Sequence, residues 1–203
     1  MDDQKKRQLD SGRFVEDVMR EFVQTLNFGH SSILSFGTEK SSIACKEAIN
    51  KKRKMSGNDV MERQQHALIP DMTVCYEGQE FAINEAAKSN NNTKRIIEGG
   101  KKCPEIMAKM FNKAISTCPT QTGSIKIYGC LLSHLQLTPL EMSSPTDYVK
   151  LWKKGKHLTN PEMPLLFKPR MTALLSHIWR VCPVIESTLR AMVEHEVPQS
   201  EFE

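Results

Sequence analysis

The chain has 203 residues, of which 39% are apolar and 26% charged, with a formal net charge of +4. The length suits one domain with short tails, and the apolar share lies below the usual ~45–50% of globular chains, a figure that also counts glycine. The N-terminal run MDDQKKRQLD lacks the apolar core of a secretory signal, and no stretch approaches the roughly 20 apolar residues of a membrane span, so an intracellular chain with reduced cysteines is expected.

Residues 1–10 read as a flexible tail. From Ser11 to Asn27, Phe14, Val15, Val18, Met19, Phe22, Val23 and Leu26 recur at helical spacing and predict an amphipathic helix. Residues 30–42 read as an ordered connection. Ser42 can cap a short helix through Ala48, which ends in Lys51-Lys52-Arg53-Lys54. A further helix is expected from Asn58 or Asp59 to Leu68, stopped by Pro70.

Met72, Val74 and Tyr76 alternate with polar residues, as do Phe81 and Ile83. Glu77-Gly78 lies between them, which predicts a small antiparallel hairpin. Residues 88–103, with Asn90-Asn91-Asn92 and Gly99-Gly100, read as a polar loop. Pro104 can open a helix carrying Ile106, Met107, Met110, Phe111, Ala114 and Ile115, closed by Cys118-Pro119.

Residues 125–137 fit a strand by Ile125 and Ile127, or a helix by Ile125, Tyr128, Leu132 and Leu135; helix is favoured from Leu131 onward. Ser144-Pro145 is expected to start a short helix with Tyr148, Val149, Leu151 and Trp152. The prolines at 161, 164 and 169 predict an extended connection over 158–169. Pro169 then opens one helix and Pro183 another. The acidic tail is 198–203. The expected architecture is therefore mainly α with a small antiparallel β-hairpin, a compact helical domain over 11–197, with α+β as the alternative.

No nucleophile elbow, phosphate loop or paired-histidine zinc motif is present. Gly99-Gly100-Lys101 lacks the first glycine and the closing hydroxyl of a phosphate loop. The six cysteines stand far apart and read as buried thiols. A zinc site would have to gather distant residues such as Cys103, Cys118 and His134. No catalytic residue, metal or cofactor is assigned, and the chain is not expected to be an enzyme, although a site assembled from distant residues stands as an alternative.

Charge carries more information. Lys51-Lys52-Arg53-Lys54 matches a short nuclear-import signal read by an acidic receptor groove. A second cluster, Lys88, Lys94, Arg95, Lys101, Lys102, Lys109 and Lys113, surrounds the polar loop. A third, Lys150, Lys153, Lys154, Lys156, Lys168 and Arg170, contains Trp152, which can stack on a base or sit at a lipid headgroup layer; on a helical stripe with Tyr148 it would be core instead. The C-terminal Glu186, Glu194, Glu196, Glu201 and Glu203 oppose these clusters in sign, which favours head-to-tail self-association.

Locally, Lys51 through Val60 resembles the helix end, Ser-Gly-Asn-Asp turn and next helix start of histone-fold transcription subunits. The resemblance covers ten residues, and Gly29 and Gly37 interrupt the long helix that family requires, so no role is carried over. The small size, the 11 methionines and the scattered basic clusters resemble RNA-virus structural proteins of the matrix or nucleocapsid-associated kind. The expected function is a non-enzymatic, self-associating basic assembly protein of nucleus, cytoplasm and virion. It would bind ribonucleoprotein or an anionic membrane surface through Lys94, Arg95, Lys101, Lys102, Lys150, Trp152, Lys153, Lys154 and Lys156. The alternative is a sequence-specific nuclear DNA-binding regulator, using helices near Asp59 or Pro169.

Overall fold

The computed structural model describes residues 35–38, 40–51, 66–76, 78–87, 97–133, 136–146, 149–159 and 163–196. In chain order they form β1 (Ser35–Thr38), α1 (Ile43–Asn50), β2 (Met72–Tyr76), β3 (Gln79–Ala87), α2 (Cys103–Thr117), β4 (Lys126–Ser133), β5 (Gln136–Thr146), β6 (Val149–Lys154), β7 (Leu158–Thr159) and α3 (Pro164–Glu196). The strands make one mixed sheet in the order β1-β2-β3-β4-β5-β6, with β7 also paired to β5. Among the described residues only β3 and β4 pair in parallel, joined by the crossover helix α2.

This is an α/β fold, and it overturns the expected mainly helical domain. The hairpin at Gly78 is present, with Gly78 at φ 79°, a left-handed conformation that glycine adopts without a Cβ clash. It is, however, two strands of a much larger sheet. The helix expected from Leu131 is absent because residues 126–133 are β4. The short helix expected after Ser144-Pro145 is absent because β5 and β6 occupy that segment as an antiparallel pair. The periodicity misled because β4 is covered on both faces: Ile127, Tyr128, Gly129, Leu131, Leu132 and Ser133 are all buried, so polar and apolar residues do not alternate. Residues 35–38 of the expected connection are β1, and Leu68, placed at the end of a helix, lies in irregular chain. The helix expected over Ser11–Asn27 lies outside the described residues, as do both tails and Asn58 through Gln65.

Helices cover both faces of the sheet. A Cβ on Gly129 would lie 2.8 Å from Met107 Sδ, so α2 presses on the face to which Gly129 belongs. Leu132, three residues along the same strand, belongs to the opposite face; there it clusters with Leu137 and with Leu174, Ile178 and Cys182 of α3. The main core lies on the α2 side, where Cys103, Ile106, Met107, Met110, Phe111 and Ala114 are fully buried against Phe81, Ile83, Ile127, Leu140 and Met142.

Both prolines expected to start new helices lie inside α3, which runs unbroken over Pro164–Glu196. Each interior proline costs about 3 kcal/mol. The stripe of Leu174, Ile178, Cys182, Ile185, Thr188 and Met192, all buried, offsets that cost by holding one continuous helix against the sheet.

Pro139 shapes the far edge. Its carbonyl accepts a hydrogen bond from Gly155 N at 2.8 Å. The N and carbonyl of one residue in an antiparallel strand point the same way, so the missing proline N–H also faces that side. The β4–β5 ladder is therefore intact, while the outer neighbour is split into β6, pairing Leu140–Thr146, and β7, pairing Gln136–Leu137. Gly155 lies at the break because a Cβ there would come within 2.7 Å of the Pro139 ring.

Candidate interaction surface

Strand β6 is the outer edge of the sheet, and all six of its residues are exposed. Strand alternation divides them. Lys150, Trp152 and Lys154 belong to the α2 face, and Lys150 Nζ donates to Asn112 Oδ1 of α2. Leu151 and Lys153 belong to the α3 face. Lys156 and His157 continue the exposed run beyond the strand.

Trp152 is 37% exposed, Leu151 39% and Val149 53%. The helical stripe that would have buried Trp152 does not exist, so the indole stands among lysines on a strand. Charges alone would suffice to guard an edge against unwanted strand pairing. Three apolar side chains stand beside them and do not serve that purpose, Trp152 on the α2 face and Leu151 on the α3 face.

Charge around the edge is only partly neutralised. Glu141 on β5 accepts from Tyr128 Oη at 2.9 Å and lies 3.7 Å from Lys126 Nζ and 3.9 Å from Lys153 Nζ. One carboxylate thus serves two lysines. Among the described residues, Lys154 and Lys156 make no ion pair. Burial, then the Glu141 hydrogen bond, pushes the Tyr128 phenol above its ordinary range, so it is a neutral donor.

The basic cluster around the polar loop is arranged differently. Lys102 Nζ lies 2.6 Å from Glu85, a fully buried carboxylate on β3. Lys109 pairs with Glu105 at 2.7 Å, and Lys113 with Glu47 at 2.8 Å. Of its described members, Lys101 alone remains exposed without an ion pair. Lys94 and Arg95 lie outside the described residues, as do Lys52, Arg53 and Lys54 of the import run; Lys51 is exposed in the turn after α1. The structure therefore gathers Lys150, Trp152, Lys153, Lys154 and Lys156 on one edge and pairs the half-buried Lys102 with a buried carboxylate. Lys126 and Glu141 escaped sequence reasoning because strand pairing, not sequence spacing, brings them to this edge.

The cysteines of the described residues are shielded from solvent, fully or in part. Burial pushes the Cys182 thiol up to about 11 and the Cys130 thiol to about 12, and raises Cys103 and Cys45 as well; such thiols are poor nucleophiles. Cys103 and Cys118 stand at opposite ends of α2, which excludes them from one zinc site. Among the described residues no group of three metal-ligating side chains occurs. Thr138 Oγ1 and His157 Nδ1 are 2.7 Å apart, but Thr138 is buried and His157 exposed, an arrangement that ties down the loop after β6. A groove of about 510 Å³ between α3 and residues 121–124 is lined by Gln121, Ser124, Glu186 and Arg190, the last two ion-paired with each other.

Compared with known proteins, the chain matches no family model, no curated protein and no solved structure.

Proposed function

We propose that this chain is a non-enzymatic assembly protein that holds a phosphate-rich partner, a ribonucleoprotein, along its β6 edge. The carrying observation is an edge strand exposed along its whole length, with Lys150, Lys153 and Lys154 interleaved with Trp152. Lysines supply attraction to phosphates, and an exposed indole supplies a stacking face for an unpaired base. Self-association is the second part of the proposal: the C-terminal end of the sequence is acidic, opposite in sign to the basic edge of another copy. Nuclear entry through Lys51, Lys52, Arg53 and Lys54 remains part of it, tested by nuclear accumulation of a large tagged fusion carrying Lys52→Ala/Arg53→Ala.

The direct test is a salt titration of single-stranded RNA binding. Replacing Lys150, Lys153 and Lys154 by Ala lowers the slope of log K against log salt by about 2, at roughly 0.7 per lost phosphate contact. Trp152→Ala weakens binding by about 1–3 kcal/mol with the slope unchanged. Affinity and slope identical to the parent in both variants reject the β6 site.

A further inference from the structure

Asn112 stands inside α2, a helix of 15 residues, although asparagine is one of the poorer helix formers. It is exposed, and its Oδ1 accepts a hydrogen bond from Lys150 Nζ of β6, 38 residues away in the sequence. Both groups can bond to water instead, so the contact adds little to folding stability. What it does is hold Lys150. The other tethered lysines are held differently: Lys102, Lys109, Lys113, Lys126 and Lys153 each lie against a carboxylate. Among the described residues Lys150 makes no ion pair, and the group that holds it is a neutral amide. Its charge is fixed in place without being cancelled.

A cation held in this way is prepared for an anion. A free lysine gives up rotamer freedom when it takes a phosphate, and a tethered one has less to give up. The setting says which anion. Lys150 and Trp152 share the α2 face of one strand, two residues and so about 7 Å apart. Lys154 follows on the same face, about 7 Å beyond the indole, and it too makes no ion pair among the described residues. A flat ring between two cations suits a base between two phosphates of one unpaired strand. On the α3 face Lys153 shares Glu141 with Lys126, so the cations without a carboxylate lie on the side of the indole.

We infer that Asn112 is a positioning residue of the β6 site: it holds Lys150 on the α2 face to receive the phosphate beside the base stacked on Trp152. This rests on the ribonucleoprotein reading. It adds the face of β6 on which the unpaired strand lies, and a residue that acts there without carrying charge.

The test is single-stranded RNA binding by the full chain across a salt series, for the parent, Asn112→Ala, Lys150→Ala, the double variant and Asn112→Asp. Asn112→Ala frees Lys150 but leaves its charge, so binding weakens roughly two- to tenfold at unchanged salt slope. Lys150→Ala lowers the slope by about 0.7, and in that background Asn112→Ala costs nothing further. Asn112→Asp sets a carboxylate against Lys150 and lowers the slope by about 0.7 as well. Both side chains are exposed, so thermal midpoints are expected to match the parent. An Asn112→Ala protein that binds like the parent, or that loses as much with Lys150 absent as with it present, overturns the inference and leaves the β6 site standing. An Asn112→Asp protein with the parent's slope does the same. A parent chain that does not bind single-stranded RNA overturns the ribonucleoprotein reading, and this inference with it.

Discussion

Glu80 caps the helix that Ser42 begins. Its Oε2 accepts from Ser42 Oγ and from Ala44 N, both at 2.9 Å, and its Oε1 accepts from Ile43 N at 3.0 Å. Ser42 Oγ in turn accepts from Cys45 N at 3.2 Å. A carboxylate on β3, 1% exposed, thereby satisfies the free N–H groups of α1 and places a negative charge at the positive end of the helix. Glu80→Ala leaves those donors buried without an acceptor and is expected to cost roughly 2–4 kcal/mol in urea unfolding. Glu80→Gln retains one acceptor oxygen and loses less. A Glu80→Ala protein as stable as the parent contradicts this role.

Gly129 is required for the approach of α2 to the sheet. A Cβ there meets Met107 Sδ at 2.8 Å and Leu140 Cβ at 3.4 Å, and Met107 and Leu140 are both buried. Gly129→Ala is expected to destabilise the protein by about 1–3 kcal/mol through overpacking. Met107→Ala vacates the same space, so the double variant is expected to lose less than the sum of the two single losses. Strict additivity in a double-mutant cycle would show that the two positions do not meet.

His177 makes stability fall in acid. Burial, and then the neighbouring Arg180, hold its imidazole below the ordinary value of 6.5. Above that value the ring is neutral in both folded and unfolded chains, and it contributes no pH dependence. As pH falls through it, the unfolded chain binds the proton first, so folding stability declines. His177→Gln is expected to flatten the acid side of the stability–pH curve. The measurement is a set of urea midpoints across the acid range, and parallel curves for the two proteins argue against the assignment.

The buried thiols are expected to be slow toward alkylation. With Cys182 raised to about 11 and Cys130 to about 12, the thiolate is scarce at neutral pH. Iodoacetamide labelling read by mass spectrometry is expected to modify Cys103, Cys130 and Cys182 at least about a hundredfold faster in urea than in the native state. Rapid native labelling of Cys103, which is fully buried, would contradict its place in the core at the start of α2.

What the order of residues determined was local. Ser42 as a cap, Pro104 in the first turn of α2, the 3–4 spacing from Ile106 to Ala114 and the left-handed glycine at the hairpin are rules that operate within a few residues, and the structure contains each of them. The identity of the cations and of Trp152 was legible too. Their setting was not. That β6 is an edge depends on its pairing with β5, interrupted at Pro139. That Lys102 is held by an ion pair depends on Glu85, 17 residues away on another element. The architecture turned on the same kind of relationship. Strands buried on both faces lose the alternation that announces a strand, and a helix whose stripe is seated on a sheet tolerates prolines that would end it alone. Propensity is a matter of about 1 kcal/mol per residue, while the burial of whole side chains is worth about 1.5–3 kcal/mol each, so where the two disagreed the tertiary packing decided.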